Sequence, residues 1–257
     1  MNLILPDIFD SKYKSNSQRA RVITETWFKT EMYCPACGYN SLIKFNNNEK
    51  MADFFCEKCG EIYELKSTSH NISKNIIDGA YSAAIERIMS NKNPHLLVLQ
   101  YDKNIIKNLI FTPKYFFTPE YIQARNPLSE KAQRAGYVGC IILFGNIPEY
   151  GKINIVKSNI EQDKKIVLEK YSQSLKIKIE NINLRGWLMD IIKCVDKITH
   201  EVFTLKDMYE FVPELSKKHQ DNYNIEAKIR QQLQILRDKG FIEFVDKGVY
   251  RKILMRL

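Results

Sequence analysis

The stretch Cys34-Pro35-Ala36-Cys37-Gly38, with its continuation Cys56-Glu57-Lys58-Cys59-Gly60 and then Glu64-Leu65-Lys66, decides how this chain is read. Two Cys-x2-Cys pairs are separated by 18 residues. That interval is the spacing of two metal knuckles, each offering two thiolates on a tight turn. Two knuckles close a tetrahedron around Zn2+. Pro35, Gly38 and Gly60 suit such turns. A full set of four protein ligands (Cys34, Cys37, Cys56 and Cys59) leaves no open position, so the zinc is expected to be structural. Its binding energy is then folding energy, on the order of 10 kcal/mol or more. Four unrelated thiols, or two disulfides, are the competing readings, and a reducing compartment disfavours the second. Cys140 and Cys194 stand alone in apolar sequence and read as core residues.

Working outward, Asp53 lies three residues before the second knuckle and Glu64 five residues after it, giving Asp53-x10-Glu64-x-Lys66. Ile62 to Lys66 alternates as a strand does, so Glu64 and Lys66 share one face and Leu65 the other. If Asp53 ends a neighbouring strand, its carboxylate meets Glu64. Two carboxylates and the Leu65 carbonyl suit Mg2+, which prefers oxygen ligands. Lys66 beside them can orient a water for attack on a phosphodiester. The alternative is a solvated Glu-Lys pair on a strand edge.

Lys14 to Thr30 reads as a helix capped near Ser15, with Ala20, Ile23, Trp27 and Phe28 at helical spacing. The insert between the knuckles has a polar middle, Asn46 to Lys50. Ile76 to Met89 reads as a second helix with a small-residue face. Leu96 to Tyr101, Asn108 to Thr112 and Tyr137 to Leu143 read as strands, with Lys152 to Val156 expected to pair near the last. Glu161 to Lys178 is lysine-rich without a strong apolar period, and a domain boundary is placed near Glu180.

The remaining residues, 181–257, read helix (Leu184 to Ile198), strand (Val202 to Thr204), helix (Leu205 to Phe211), helix (Ile225 to Lys239) and a hairpin turning at Asp246-Lys247-Gly248. That is the order of a winged helix. Ile225, Ile229, Leu233 and Leu236 face a core. Lys228, Arg230, Gln231, Gln232 and Gln234 are expected on the opposite faces, where amides and guanidinium groups can reach base edges. Lys247, Arg251 and Lys252 on the hairpin are expected to meet phosphates. A winged helix used for protein contacts is the competing reading.

The 257 residues allow one large domain or two modest ones. Apolar residues at 44% and charged residues at 27% exclude disorder of the whole chain. No apolar run reaches the roughly 18 residues of a membrane helix. The N-terminus lacks the basic and small-residue marks of a signal peptide, so a cytoplasmic location is expected. Lys and Arg number 39 against 30 Asp and Glu, a net charge of +9 that favours a polyanionic partner.

The Asp53, Glu64, Lys66 pattern resembles the PD-(D/E)xK nuclease superfamily, with Ala52 where that motif often has Pro. A carboxylate from the first helix can join such sites, and Glu25 is the candidate. The chain as a whole resembles the DpnI-type restriction endonucleases, nearly end to end. The resemblance is carried by Tyr13-Lys14-Ser15-Asn16-Ser17-Gln18, Tyr33-Cys34-Pro35 and Ala52-Asp53-Phe54. It continues in Glu64-Leu65-Lys66-Ser67, Asp78-Gly79-Ala80-Tyr81, Arg134-Ala135-Gly136 and the run Lys228 to Lys239.

The resemblance implies an α/β fold: a PD-(D/E)xK nuclease domain (1–180) with a zinc insert (34–59), then a winged-helix DNA-binding domain (181–257). It implies catalysis by Asp53, Glu64 and Lys66, with Mg2+ at Asp53, Glu64 and Leu65 and Zn2+ at the four cysteines. The implied substrate is double-stranded DNA carrying N6-methyladenine in GATC, read by both domains. No membrane and no obligate protein partner are expected, and the chain is read as a monomer. Where the family has Trp after Arg-Ala-Gly, this chain has Tyr137. With Arg134 as a further DNA-binding candidate, its smaller ring is the candidate to stack on the methylated adenine or its neighbours. Packing of Tyr137 in the core is the alternative. A zinc-containing winged-helix regulator without nuclease activity is the rival function.

Overall fold

The fold is described from a computed structural model covering residues 1–7, 15–46 and 52–253. Tyr13, Lys14 and most of the polar middle of the insert lie outside these residues.

The first helix, α1 (Asn16–Glu31), begins where the Ser15 hydroxyl accepts from the Gln18 N–H at 3.2 Å. Its Trp27 and Phe28 are buried. Then come β1 (Ile43–Lys44), β2 (Phe54–Phe55), β3 (Ile62–Thr68) and β4 (Ile76–Ala80). Helix α2 (Tyr81–Met89) leads to β5 (His95–Asp102) and β6 (Ile105–Thr112). The chain continues through β7 (Ile122–Ala124), β8 (Gly139–Ile142), β9 (Ile153–Lys157), β10 (Ile160–Glu161) and α3 (Lys164–Ser174).

Seven strands form the central sheet in the order β1-β2-β3-β5-β6-β9-β10. Only β3 and β5 in it run parallel. The parallel step needs a crossover, and β4 with α2 supplies it. β5 is buried on both faces, as its unbroken apolar run requires. Leu97 and Leu99 join a core with Trp27, Phe28, Tyr63 and Phe111. Leu96 and Val98 join a second core on the other face. A smaller sheet, β4-β8-β7, covers that second face.

The C-terminal unit comprises α4 (Ile182–Lys197), β11 (Val202–Thr204), α5 (Leu205–Tyr209), α6 (Val212–Lys218), α7 (Ile225–Asp238), β12 (Ile242–Asp246) and β13 (Val249–Lys252). Its three strands form one sheet, β11-β13-β12. α5 starts with a capping box in which Thr204 and Asp207 satisfy each other's backbone. The second core runs without a break from Phe116 and Ile147 into Leu188, Leu233 and Phe241. Tyr150 meets Phe241 edge-on at 4.7 Å.

Two expectations are corrected. Ile76 to Ala80 is a strand, because it pairs with β8 from Ile76 opposite Ile142 to Ala80 opposite Gly139, and only the remainder is helical. Lys152 to Val156 pairs with β6, because the second sheet is already closed by β4, β8 and β7. The lysine-rich segment, in keeping with its weak apolar period, forms α3 with a buried stripe of only Val167, Tyr171 and Ser174.

Arg185 on α4 is almost fully buried. Its Nε and Nη2 donate to the Ile179 carbonyl at 2.9 and 2.6 Å, Nη1 donates to the Phe117 carbonyl at 3.3 Å, and Nη2 also meets Asn91. Arg185→Met leaves those carbonyls unsatisfied and is expected to cost about 2–4 kcal/mol of stability. Urea unfolding checks this: the midpoint falls at unchanged slope, and an unshifted midpoint counts against the role of these bonds.

Candidate functional site

The two knuckles are built alike. Gly38 donates its N–H to the Cys34 carbonyl and Gly60 to that of Cys56, each at 2.8 Å. Cys34 and Cys56 in turn donate to Tyr39 at 2.7 Å and Glu61 at 2.9 Å. Both glycines have positive φ, +75° and +74°, which a side chain would strain. The four sulfur atoms lie within 4.8 Å of one another. Cys34 and Cys59 are 3.6 Å apart, Cys37 and Cys56 3.7 Å. A tetrahedron with 2.3 Å metal–sulfur bonds has edges of about 3.8 Å, so the cluster can hold one tetrahedral ion. The cysteines are free thiols, not disulfides. Burial pushes Cys34 up to about 11 despite the Tyr63 hydroxyl at 3.0 Å. Cys140 and Cys194 are buried, as expected.

The second knuckle is also the turn joining β2 to β3. Those strands pair Phe54 with Tyr63 and Phe55 with Ile62. Asp53 precedes β2 and is held by its backbone, which donates to Tyr63 at 3.0 Å and accepts from Phe45 at 2.9 Å. Its Oδ2 accepts from the Leu65 N–H at 2.8 Å. Asp53 therefore reaches β3 between Glu64 and Lys66. Lys66 Nζ lies 2.6 Å from Glu64 and 2.6 Å from Asp78 on β4. Leu65 packs into the first core on the opposite face.

Burial raises the pKa of Asp53 against the Leu65 hydrogen bond and Lys66, and burial likewise raises that of Glu64. For Asp78, the pull of Lys66 outweighs burial and lowers it. Glu25 on α1 is buried and spanned by two cations, Arg21 at 2.5 Å and Lys44 at 2.7 Å. Arg21 also stands 3.7 Å from Asp53. Glu25 thus reaches Asp53 through Arg21. A cleft of about 370 Å³ opens beside Lys66, lined by Ser67, Thr68, Asn71, Ser73 and Asn75 among others.

Asp78 and Arg21 are the members of this cluster that sequence reasoning missed. Asp78 stands in the quoted segment Asp78-Gly79-Ala80-Tyr81, but nothing in that segment or around Arg21 marks either as a site residue. The pairing that brings β4 against β8 and the tilt of α1 over β3 place them.

Arg134 and Tyr137 lie in the exposed connection between β7 and β8, just before the strand rather than inside it. The Arg134 guanidinium covers the half-buried Tyr137 ring at 4.2 Å. The core alternative for Tyr137 is therefore not what the structure shows.

On α7, Arg230, Gln231 and Gln234 are exposed. Lys228 is half-buried, donating to Gln231 at 2.8 Å. Gln232 is a correction. It is 1% exposed, and neither of its amide atoms has a partner among the described residues. It lies three residues after Ile229 and seven after Ile225, which puts it on the core face of the helix. Arg251 is exposed but paired with Glu243 on β12 and Glu201 just before β11, and Lys252 donates to the Ile198 carbonyl. Lys247 is exposed.

The described residues thus form an α/β sheet with a thiol cluster at one end, joined to a helix-turn-helix unit bearing a strand hairpin. Comparison with known families gives the particular family. Residues 1–180 match the Dam-replacing family (DpnI), and residues 183–252 match the Dam-replacing HTH domain. The chain belongs to the Dam-replacing, DpnI-type family.

The thiol geometry carries a direct expectation. Protein purified without chelator should contain one equivalent of Zn2+ by atomic emission, and Cys56→Ser should lose it together with several kcal/mol of stability, on the order of the energy a structural site supplies. A metal-free wild-type protein with an intact fold would contradict a structural ion.

Proposed function

We propose that this protein is a methyl-directed endonuclease that hydrolyses both strands of DNA within adenine-methylated GATC. The observation that carries the reading is the Asp53, Glu64, Lys66 arrangement, a PD-(D/E)xK pattern set on a hairpin whose turn is a metal knuckle. Family membership supports a methylation-dependent restriction enzyme. The division proposed is residues 1–180 for cleavage and 181–257 for DNA binding.

The donor set fits Mg2+. Asp53 and Glu64 are carboxylates whose charge is disfavoured by burial, a cost that a hard divalent cation repays. Asp53, Glu64 and the Leu65 carbonyl would hold it, and when bound it supplies Lewis-acid assistance and neutralises charge on the phosphate. Lys66 would orient the attacking water and meet the developing phosphate charge with its ammonium. The Leu65 N–H fixes the Asp53 carboxylate beside the strand, so that it need not reorganise during the reaction. Zn2+ at the four thiols would clamp the β2–β3 turn.

Arg230, Gln231 and Gln234 would face the major groove, with Lys228 and Lys247 near the backbone. Arg134 and Tyr137 would form the reading element of the first unit, the Tyr137 ring stacking on methylated adenine once Arg134 swings off it.

Plasmid DNA from a dam+ host should be cut with Mg2+ into the fragments set by GATC, and DNA from a dam− host left intact. Cutting of both would remove the methyl requirement. Cutting of neither by folded, zinc-loaded protein would favour a non-catalytic DNA-binding regulator. Asp53→Ala should reduce cleavage by at least about a thousandfold, the scale of losing a principal electrostatic element, while gel-shift affinity stays within about threefold of wild type, because binding rests mainly on phosphate contacts elsewhere. Loss of both would point to misfolding or a misassigned site.

A further inference from the structure

The Lys66 ammonium is held by carboxylates from two different sheets. Glu64 is its neighbour on β3, and Asp78 stands on β4, which pairs with β8. Both lie 2.6 Å from Nζ. Asp78 is the more enclosed, its side chain 6% exposed against 15% for Glu64. Strand pairing does not account for it, since the backbone of Asp78 is matched to Cys140 whatever its side chain does. A carboxylate at that depth is costly unless a cation answers it, and Lys66 is the cation it contacts.

An ammonium seated on Glu64 alone would occupy the oxygen that a divalent ion needs and would repel that ion. An ammonium has three donors, and a second acceptor decides where it rests. We infer that Asp78 is a positioning residue for Lys66: it gives the ammonium, now shared equally with Glu64, a second seat on which it can rest when Glu64 turns to a divalent cation, so that Lys66 stays beside the reacting phosphate. This rests on the reading of Glu64 as a metal ligand given above. It also ties the centre to the sheet that carries Arg134 and Tyr137. Tyr81, three residues after Asp78, donates its N–H to the Val138 carbonyl at 3.0 Å.

The test is the Mg2+-dependent rise in melting temperature of the zinc-loaded full chain, without DNA. In Asp78→Asn, Lys66 falls back on Glu64, and half-saturating Mg2+ rises about tenfold, the scale of one lost charged contact. In Asp78→Asn combined with Lys66→Met, the competitor is gone and half-saturation returns to the wild-type value or below. A merely structural carboxylate would not give that recovery. An Asp78→Asn variant with wild-type Mg2+ dependence overturns the inference, as does a double variant no better than the single. Should Asp78→Asn fail to fold, Lys66→Met alone decides: it lowers half-saturating Mg2+, and a rise overturns the inference. Absence of any Mg2+ response in wild type overturns the metal site itself and the inference with it, a failure distinct from an unresponsive variant.

Discussion

The constraint on which the site depends is the tight turn between β2 and β3. These strands share only two residue pairs, and a ladder that short does not hold itself in water. The turn is closed by the Gly60 and Cys56 backbone hydrogen bonds, and it carries Cys56 and Cys59, whose sulfur atoms converge with those of Cys34 and Cys37. From there the register propagates along β3: Tyr63 carries the backbone of Asp53, Leu65 anchors its carboxylate, and Glu64 and Lys66 are turned together toward β4. β3 is braced on its far edge by β5 over six residue pairs. One edge of the strand is thus held by the main sheet and the other by its short pairing with β2, next to the thiol cluster.

Charge organises the same region in two groups. On one side, Glu25 is pinned between Arg21 and Lys44, and Arg21 extends to Asp53. On the other, Lys66 is shared by Glu64 and Asp78. Each buried charge has an opposite partner, as low polarity demands. Asp53 is the member met mainly by a backbone N–H, which leaves it the carboxylate with most to gain from an added cation.

Much of this was legible in the sequence, and for stated reasons. Ligand spacing is a local property, so Cys34 to Cys59 announced the thiol cluster. Glu64 and Lys66 share a face because strands alternate. The C-terminal order of elements followed from helical and alternating patterns, apart from α6, whose seven residues leave little period to detect. What was not legible depends on pairing between distant segments. Ile76 to Ala80 is too short to separate strand from helix by period alone, so the strand bearing Asp78 was absorbed into α2. The partner of β9 is set by which sheet edge is vacant, which no local window contains. Gln232 was assigned to the exposed face by residue type, although its spacing from Ile225 and Ile229 already placed it inside.

The unbroken core from Phe116 and Ile147 to Leu233 and Phe241 bears on how such proteins can diversify. A recognition module hung on a loose tether can be exchanged freely between lineages. Here the incoming module would have to bring its own counterpart to Tyr150 and a guanidinium able to fill the place of Arg185. The surface of the C-terminal unit is therefore changed more readily by replacing exposed residues such as Arg230, Gln231 and Gln234 than by shuffling whole units.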